Sequence, residues 1–218
     1  MLRLLINLVI KDFMLMKKYL LFLVLFALAA PIVIASQTKD DSLLFLMPFY
    51  LIMITEIATY LQVSKFESIS RGAAFICATP YTRRTFIEAK YLFVFVTFVG
   101  ILFAQIVASF LLPSLKTGLN LNAVGAAFLM VSLLFGVLIP CQIKFGFDVV
   151  RWIFFGLAFL IPFSLGPILR WYQSLGIHFS FSLPVSQTGQ ILLMYVFAVV
   201  ITFVSMYASI KIYEKKDL

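Results

Sequence analysis

Apolar residues run along this chain in long unbroken blocks, separated by short stretches that hold nearly all the charge. A helix needs roughly 20 apolar residues to cross a membrane. Six blocks approach that length: Tyr19–Ser36, Leu43–Val63, Tyr91–Leu112, Ala123–Pro140, Trp152–Ile168 and Gly189–Ile210. They lack the period-two alternation of barrel strands, so helices are the expected form. Residues 1–18 follow another rhythm. Arg3, Asn7 and Lys11 recur every four positions and share one helix face, while Leu2, Leu5, Ile6, Val9, Ile10 and Phe13 cover the rest. This predicts an amphipathic helix lying in the membrane interface, basic edge toward the head groups. The expected fold is an all-α integral membrane protein: an interfacial helix over 1–18, then a six-helix transmembrane domain over 19–218.

Composition agrees. Of 218 residues, 63% are hydrophobic and only 12% are charged, with mean hydropathy +1.10. A soluble domain would carry about a quarter charged residues. Fourteen of the seventeen Lys and Arg residues fall before the first block, in the second and fourth connections, or in the tail. Only Lys39, Lys116 and Arg170 fall on the other side. The positive-inside rule therefore places both termini in the cytoplasm, in keeping with an even number of spans. The net charge of +8 reads as topology plus contact with anionic lipid. Nucleic acid is excluded as a partner, because the basic residues are scattered along membrane-edge loops. The first block is long for a leader's apolar region and reads as a retained span. Cys77 and Cys141 are expected to be reduced apolar fillers, and the single histidine, His178, excludes a metal-ligand pattern.

The second connection, Ser64–Lys90, is too long for a simple turn between antiparallel helices. It carries Lys65, Phe66 and Glu67, an apolar stretch, and then Thr79, Pro80, Tyr81, Thr82, Arg83 and Arg84. Pro80 favours an extended residue before it and can open a helix. Thr82 is a candidate cap for a short helix leading through Glu88 and Lys90 into the third span. A rigid polar element held between two spans suits docking to a partner. The fourth connection is compact. Gly146 permits a sharp turn at which Phe145 and Phe147 are expected to bury, with Lys144, Asp148 and Arg151 forming an ion-pair cluster.

Glu56 is the one evident carboxylate inside a span. Such a charge costs roughly 2.5–3.5 kcal/mol at mid-membrane. Helical spacing puts Thr55, Glu56, Thr59 and Gln62 on one broad face with Tyr60 at its edge. That face should turn from lipid toward another helix or a water-filled path. Two readings stand: a translocation route on which Glu56 meets cationic or amphipathic cargo, or an interhelical hydrogen bond. The last outer connection, Leu169–Thr188, is rich in aromatic residues and reads as an interfacial belt or an outer gate. No phosphate-binding G-x-x-x-x-G-K-[ST] motif and no nucleophile–base pair occurs, so the chain is not expected to be an enzyme.

The run Thr79-Pro80-Tyr81-Thr82-Arg83-Arg84, followed by Ala89-Lys90-Tyr91-Leu92, resembles the Leu-Pro…Arg…Ala-Lys-Tyr-Leu segment of ABC type-2 exporter permeases. Pro140…Lys144-Phe145-Gly146…Arg151 and the tail Ser209–Lys216 are similar to other segments of that group. Thr79 stands where the family usually has Leu. Within the group, the chain most resembles small permeases of bacterial exporters of amphipathic cytolytic peptides, the phenol-soluble modulin type. The resemblance implies a permease subunit in the bacterial cell membrane, moving amphipathic peptides or other hydrophobic cargo outward. It implies two permease chains with two separate ATPase subunits, which hold ATP and Mg while this chain holds no cofactor. It also makes the second connection the coupling surface, with Lys144, Phe145, Gly146 and Arg151 as a secondary contact. Two other classes compete. An ion-coupled secondary transporter would usually show inverted repeats and several midplane polar residues. A non-transporting scaffold or immunity protein would need no ATPase.

Overall fold

A computed structural model describes residues 2–37, 41–69, 82–111, 121–156 and 187–215, and these are helical almost throughout. The helices are α1 (Leu2–Leu15), α2 (Lys17–Gln37), α3 (Asp41–Ile69), α4 (Arg83–Leu111), α5 (Leu121–Phe145), α6 (147–156) and α7 (Gln187–Glu214). Among the described residues α4, α5 and α7 are each long and apolar enough to cross a membrane, and α1 with α2 forms a bent fourth candidate. The expected spans at 19–36, 43–63, 123–140 and 189–210 lie within α2, α3, α5 and α7. The span at 91–112 coincides with α4 but for its last residue, and the one at 152–168 is described only through residue 156.

Local chemistry sets the element ends. The chain bends by 78° between α1 and α2. Met16 sits at the corner, its carbonyl accepting from the amides of Tyr19 and Leu20 at 2.8 Å each. α4 opens one residue after Thr82, whose hydroxyl oxygen accepts from the Thr85 amide at 3.2 Å, a side-chain N-cap. The capped turn and the third span are one continuous helix. α3 likewise runs six residues past Val63. Residues 64–69 and 83–90 of the second connection therefore belong to the helices α3 and α4 on either side of it.

α5 continues five residues beyond Pro140, although Pro140 was the expected end of the span. A proline removes the amide that would bond the carbonyl four residues earlier, here that of Gly136. The Ser205 hydroxyl of α7 donates to that carbonyl instead, at 2.5 Å. Neighbouring hydroxyls commonly re-satisfy such freed groups in membranes. The helix stops at Gly146, which takes φ +90° and donates its amide to the Gln142 carbonyl at 2.9 Å.

The most extensive helix pair is α5 with α7. Two glycines let them close: a Cβ on Gly125 would lie 3.2 Å from the Tyr195 ring, and one on Gly136 would lie 3.3 Å from Ile201. The Tyr91 hydroxyl of α4 meets Ser205 and Ser209 of α7 at 2.7 and 2.9 Å. The main core joins α3, α4, α5 and α6 around Tyr60, Phe86, Phe135 and Phe154, and a second cluster seats α1 on α4 through Leu8, Val9 and Phe93.

Candidate functional site

One end of the bundle gathers the helix termini that carry the basic residues. The end of α1, the last turns of α3, the first turns of α4 and the end of α7 all meet there. At its centre four charged side chains from three helices form one network. Glu67 of α3 accepts from Lys11 of α1 at 3.0 Å and, on its other oxygen, from Lys90 of α4. Lys11 also pairs with Asp12 at 2.9 Å. Three of the four are largely out of solvent: side-chain exposure is 6% for Lys90, 10% for Glu67 and 3% for Asp12, against 35% for Lys11. Phe86 roofs it, with the Lys90 and Lys11 ammonium groups 5.0 and 5.8 Å from its ring centre. Burial alone would raise the Glu67 carboxyl, but the Lys90 and Lys11 charges and their hydrogen bonds hold it below its ordinary value. For Asp12 burial wins: its carboxyl is raised despite Lys90 and Lys11, with the nearby Glu67 charge adding to the rise.

Arg83 ties α4 to α7. One guanidinium nitrogen donates to the carbonyls of Tyr213 and Glu214 at 3.2 and 3.1 Å, and the group lies 5.8 Å from the Tyr213 ring centre. A cation on the last carbonyls of a helix is favoured by its dipole. Arg84 is exposed and pairs with Glu88 one turn on, at 2.7 Å.

The other sequence-derived coupling residues distribute unevenly. Lys65 is exposed, and Phe66 is half-buried, its ring 6.1 Å from that of Tyr19. Thr82 is an exposed cap. Thr79, Pro80 and Tyr81 lie outside the described residues, as do Cys77, His178 and the outer connection through residue 186. In the fourth connection the expected burial of Phe145 is corrected: it is 57% exposed. The left-handed turn at Gly146 ends α5 and leaves the residue before it outside the core. Lys144 lies 5.2 Å from the Phe145 ring centre, and only Asp148 and Arg151 of the expected cluster pair, at 3.9 Å. α1 departs from a simple basic-out pattern too. Lys11 turns inward to Glu67, while Ile6, Ile10 and Met14 are exposed beside Arg3 and Asn7.

Deeper in the bundle, Thr55, Glu56, Thr59 and Tyr60 are all buried and Gln62 is half-buried. Glu56 is 1% exposed, and its Oε1 accepts from the Thr97 hydroxyl of α4. Thr55 and Thr59 donate to carbonyls one turn back, both at 2.7 Å. Within one chain Glu56 is joined to α4 through Thr97, while Thr55 and Thr59 border a cavity between α3 and α4.

Sequence reasoning missed the partners in three joints: Lys11 and Lys90 meeting on Glu67, Thr97 on Glu56, where an interhelical hydrogen bond is one of the two readings, and Tyr91 on the serine pair of α7. Only the last left a local mark, the four-residue spacing of Ser205 and Ser209. Among the described residues no group of His, Cys, Asp and Glu could hold a metal ion.

Residues 7–214 match the sequence model of a family described as ABC-2 family transporter protein. No curated protein and no solved structure matches.

Proposed function

This chain belongs to the ABC-2 transporter family, and from that membership we propose that it is the permease half of an ABC exporter in the bacterial plasma membrane. The family pairs a membrane permease with an ATPase subunit in general. In our reading two copies of this chain assemble with two ATPase subunits, which bind ATP and Mg, while this chain is not itself an enzyme. All six apolar blocks cross the membrane, α1 lies in the interface, and both termini face the cytoplasm. The cargo is an amphipathic peptide or another hydrophobic molecule, and the phenol-soluble modulin type is the subclass its motifs favour.

The observation that carries the reading is the family match across nearly the whole chain. The geometry supplies a route for the motion. The segment between α3 and α4 is flanked by helices whose ends are clamped by Glu67 and Lys90. The same clamp holds α1 through Lys11, and Arg83 holds α7. A partner that displaces this segment on binding ATP would move four helices together. Such a device needs only differential docking to two partner states. The hydrogen bond from Thr97 supports the helix-joining reading of Glu56 over direct contact with cargo.

The test is co-purification. The chain should isolate with an ABC ATPase encoded beside it. A scrambled variant that changes Pro80, Tyr81 and Arg84 but keeps the Thr82 cap and the Arg83 tie to α7 should release that ATPase while the permease stays folded. The isolated chain should hydrolyse no ATP. Retention of the ATPase by the scrambled variant would refute the placement of the coupling surface. Absence of any ATPase partner would refute the exporter reading.

A further inference from the structure

α1, α2, α3 and α4 do not close completely on one another. Between them lies a cavity of about 260 Å³, open on one side. Its wall on α2 is the row Leu20, Leu23, Val24 and Ala27, and on α4 it includes Val96, Gly100 and Ala104. Val96 and Gly100 are exposed, so the mouth opens sideways between α2 and α4. Thr55, Thr59 and Thr97 also line it. Their hydroxyl protons are already committed, to the carbonyls of Leu51 and Thr55 and to the Glu56 carboxyl. An apolar cavity of this kind does not hold water and accepts apolar ligands.

From Lys17 to Ala27, α2 rises about 15 Å, and the cavity wall from Leu20 to Ala27 takes about 10 Å of that rise. One leaflet of the hydrocarbon core is about 15 Å deep. Lys17 lies in register with Leu20 and Val24, on the side nearer the basic end of the bundle, and Lys18 follows it; both are exposed. The cavity thus has a lateral mouth within the apolar zone, and its far end lies about one leaflet's depth from two lysines placed where a head group would sit.

We propose that this cavity is a binding site for one anionic glycerophospholipid, with an acyl chain between α2 and α4 and its phosphate on Lys17 and Lys18. Gly100 stands at the open mouth: a Cβ there would meet nothing within 4 Å. The site requires membrane embedding but no particular cargo or ATPase.

The test uses the purified full chain in nanodiscs of phosphatidylcholine and phosphatidylglycerol, doped with phosphatidylglycerol bearing a photoreactive acyl chain. Labelled peptides are mapped by mass spectrometry. Label should concentrate on residues 20–27 and 96–104. Gly100→Leu, whose Cβ would meet nothing within 4 Å and which adds helix propensity, should abolish that labelling while leaving the background on α7. Removing the two lysines should lower the preference for phosphatidylglycerol over phosphatidylcholine by about fivefold for each, since a lysine near the surface is worth about 1 kcal/mol toward anionic lipid. Even labelling of all lipid-facing helices, or insensitivity to Gly100→Leu, would overturn the proposal. A disulfide between two chains carrying Gly100→Cys would do so as well, by making the mouth a contact between copies.

Discussion

The sharpest consequence of the structure concerns Lys90. Replacing it with methionine keeps the stem that packs under Phe86 and removes the ammonium. Glu67 then retains Lys11 but loses its more deeply buried partner, and the Asp12 carboxyl loses the charge that most offsets its burial. Breaking a buried ion pair from one side typically costs about 3–5 kcal/mol, because the other charge is left uncompensated. Lys11, more exposed at 35%, can take up part of the load, so the lower end of that range is expected. Reversible unfolding in mixed micelles would measure it for Lys90→Met, Glu67→Gln and the double variant. The double variant should cost much less than the two singles together, with a coupling of at least about 2 kcal/mol. Arg84→Ala serves as the comparison, because its pair with Glu88 is solvent-exposed and should leave the midpoint unchanged. Additive single effects, or a Lys90→Met loss below about 1 kcal/mol, would refute a buried, cooperative network.

Acid should act through the same cluster. Because Glu67 is held below its ordinary carboxyl value of 4.5, its stabilising contribution is complete above that value and is lost as pH falls below it. Glu67→Gln should therefore flatten the acid limb of a stability–pH profile. Asp12→Asn should cost less than Glu67→Gln at neutral pH, since the raised Asp12 carboxyl contributes in the opposite sense. Ser205→Ala should cost about 1–3 kcal/mol by orphaning the Gly136 carbonyl, and much less in a Pro140→Ala background, where the helix regains its own donor; circular dichroism melts in detergent would follow both. Export by Glu56→Gln should persist, as the amide oxygen still accepts from Thr97, whereas Glu56→Leu should lose folded protein on size exclusion.

The apolar blocks and the cap at Thr82 are readable from the chain, because each follows from a residue's own solvation or from neighbours within one helical turn. Gly146 as a turn belongs with them. The partners of the charged and polar residues do not. Lys11 and Glu67 stand 56 residues apart, and Glu56 and Thr97 stand 41 apart. Whether they meet depends on how each helix is rotated about its axis and where it crosses its neighbours. The burial of Glu67, the survival of α5 past Pro140 and the opening beside Gly100 were settled at that level. In each case packing between helices, which no local pattern encodes, fixed which groups left solvent and which donor answered a freed carbonyl.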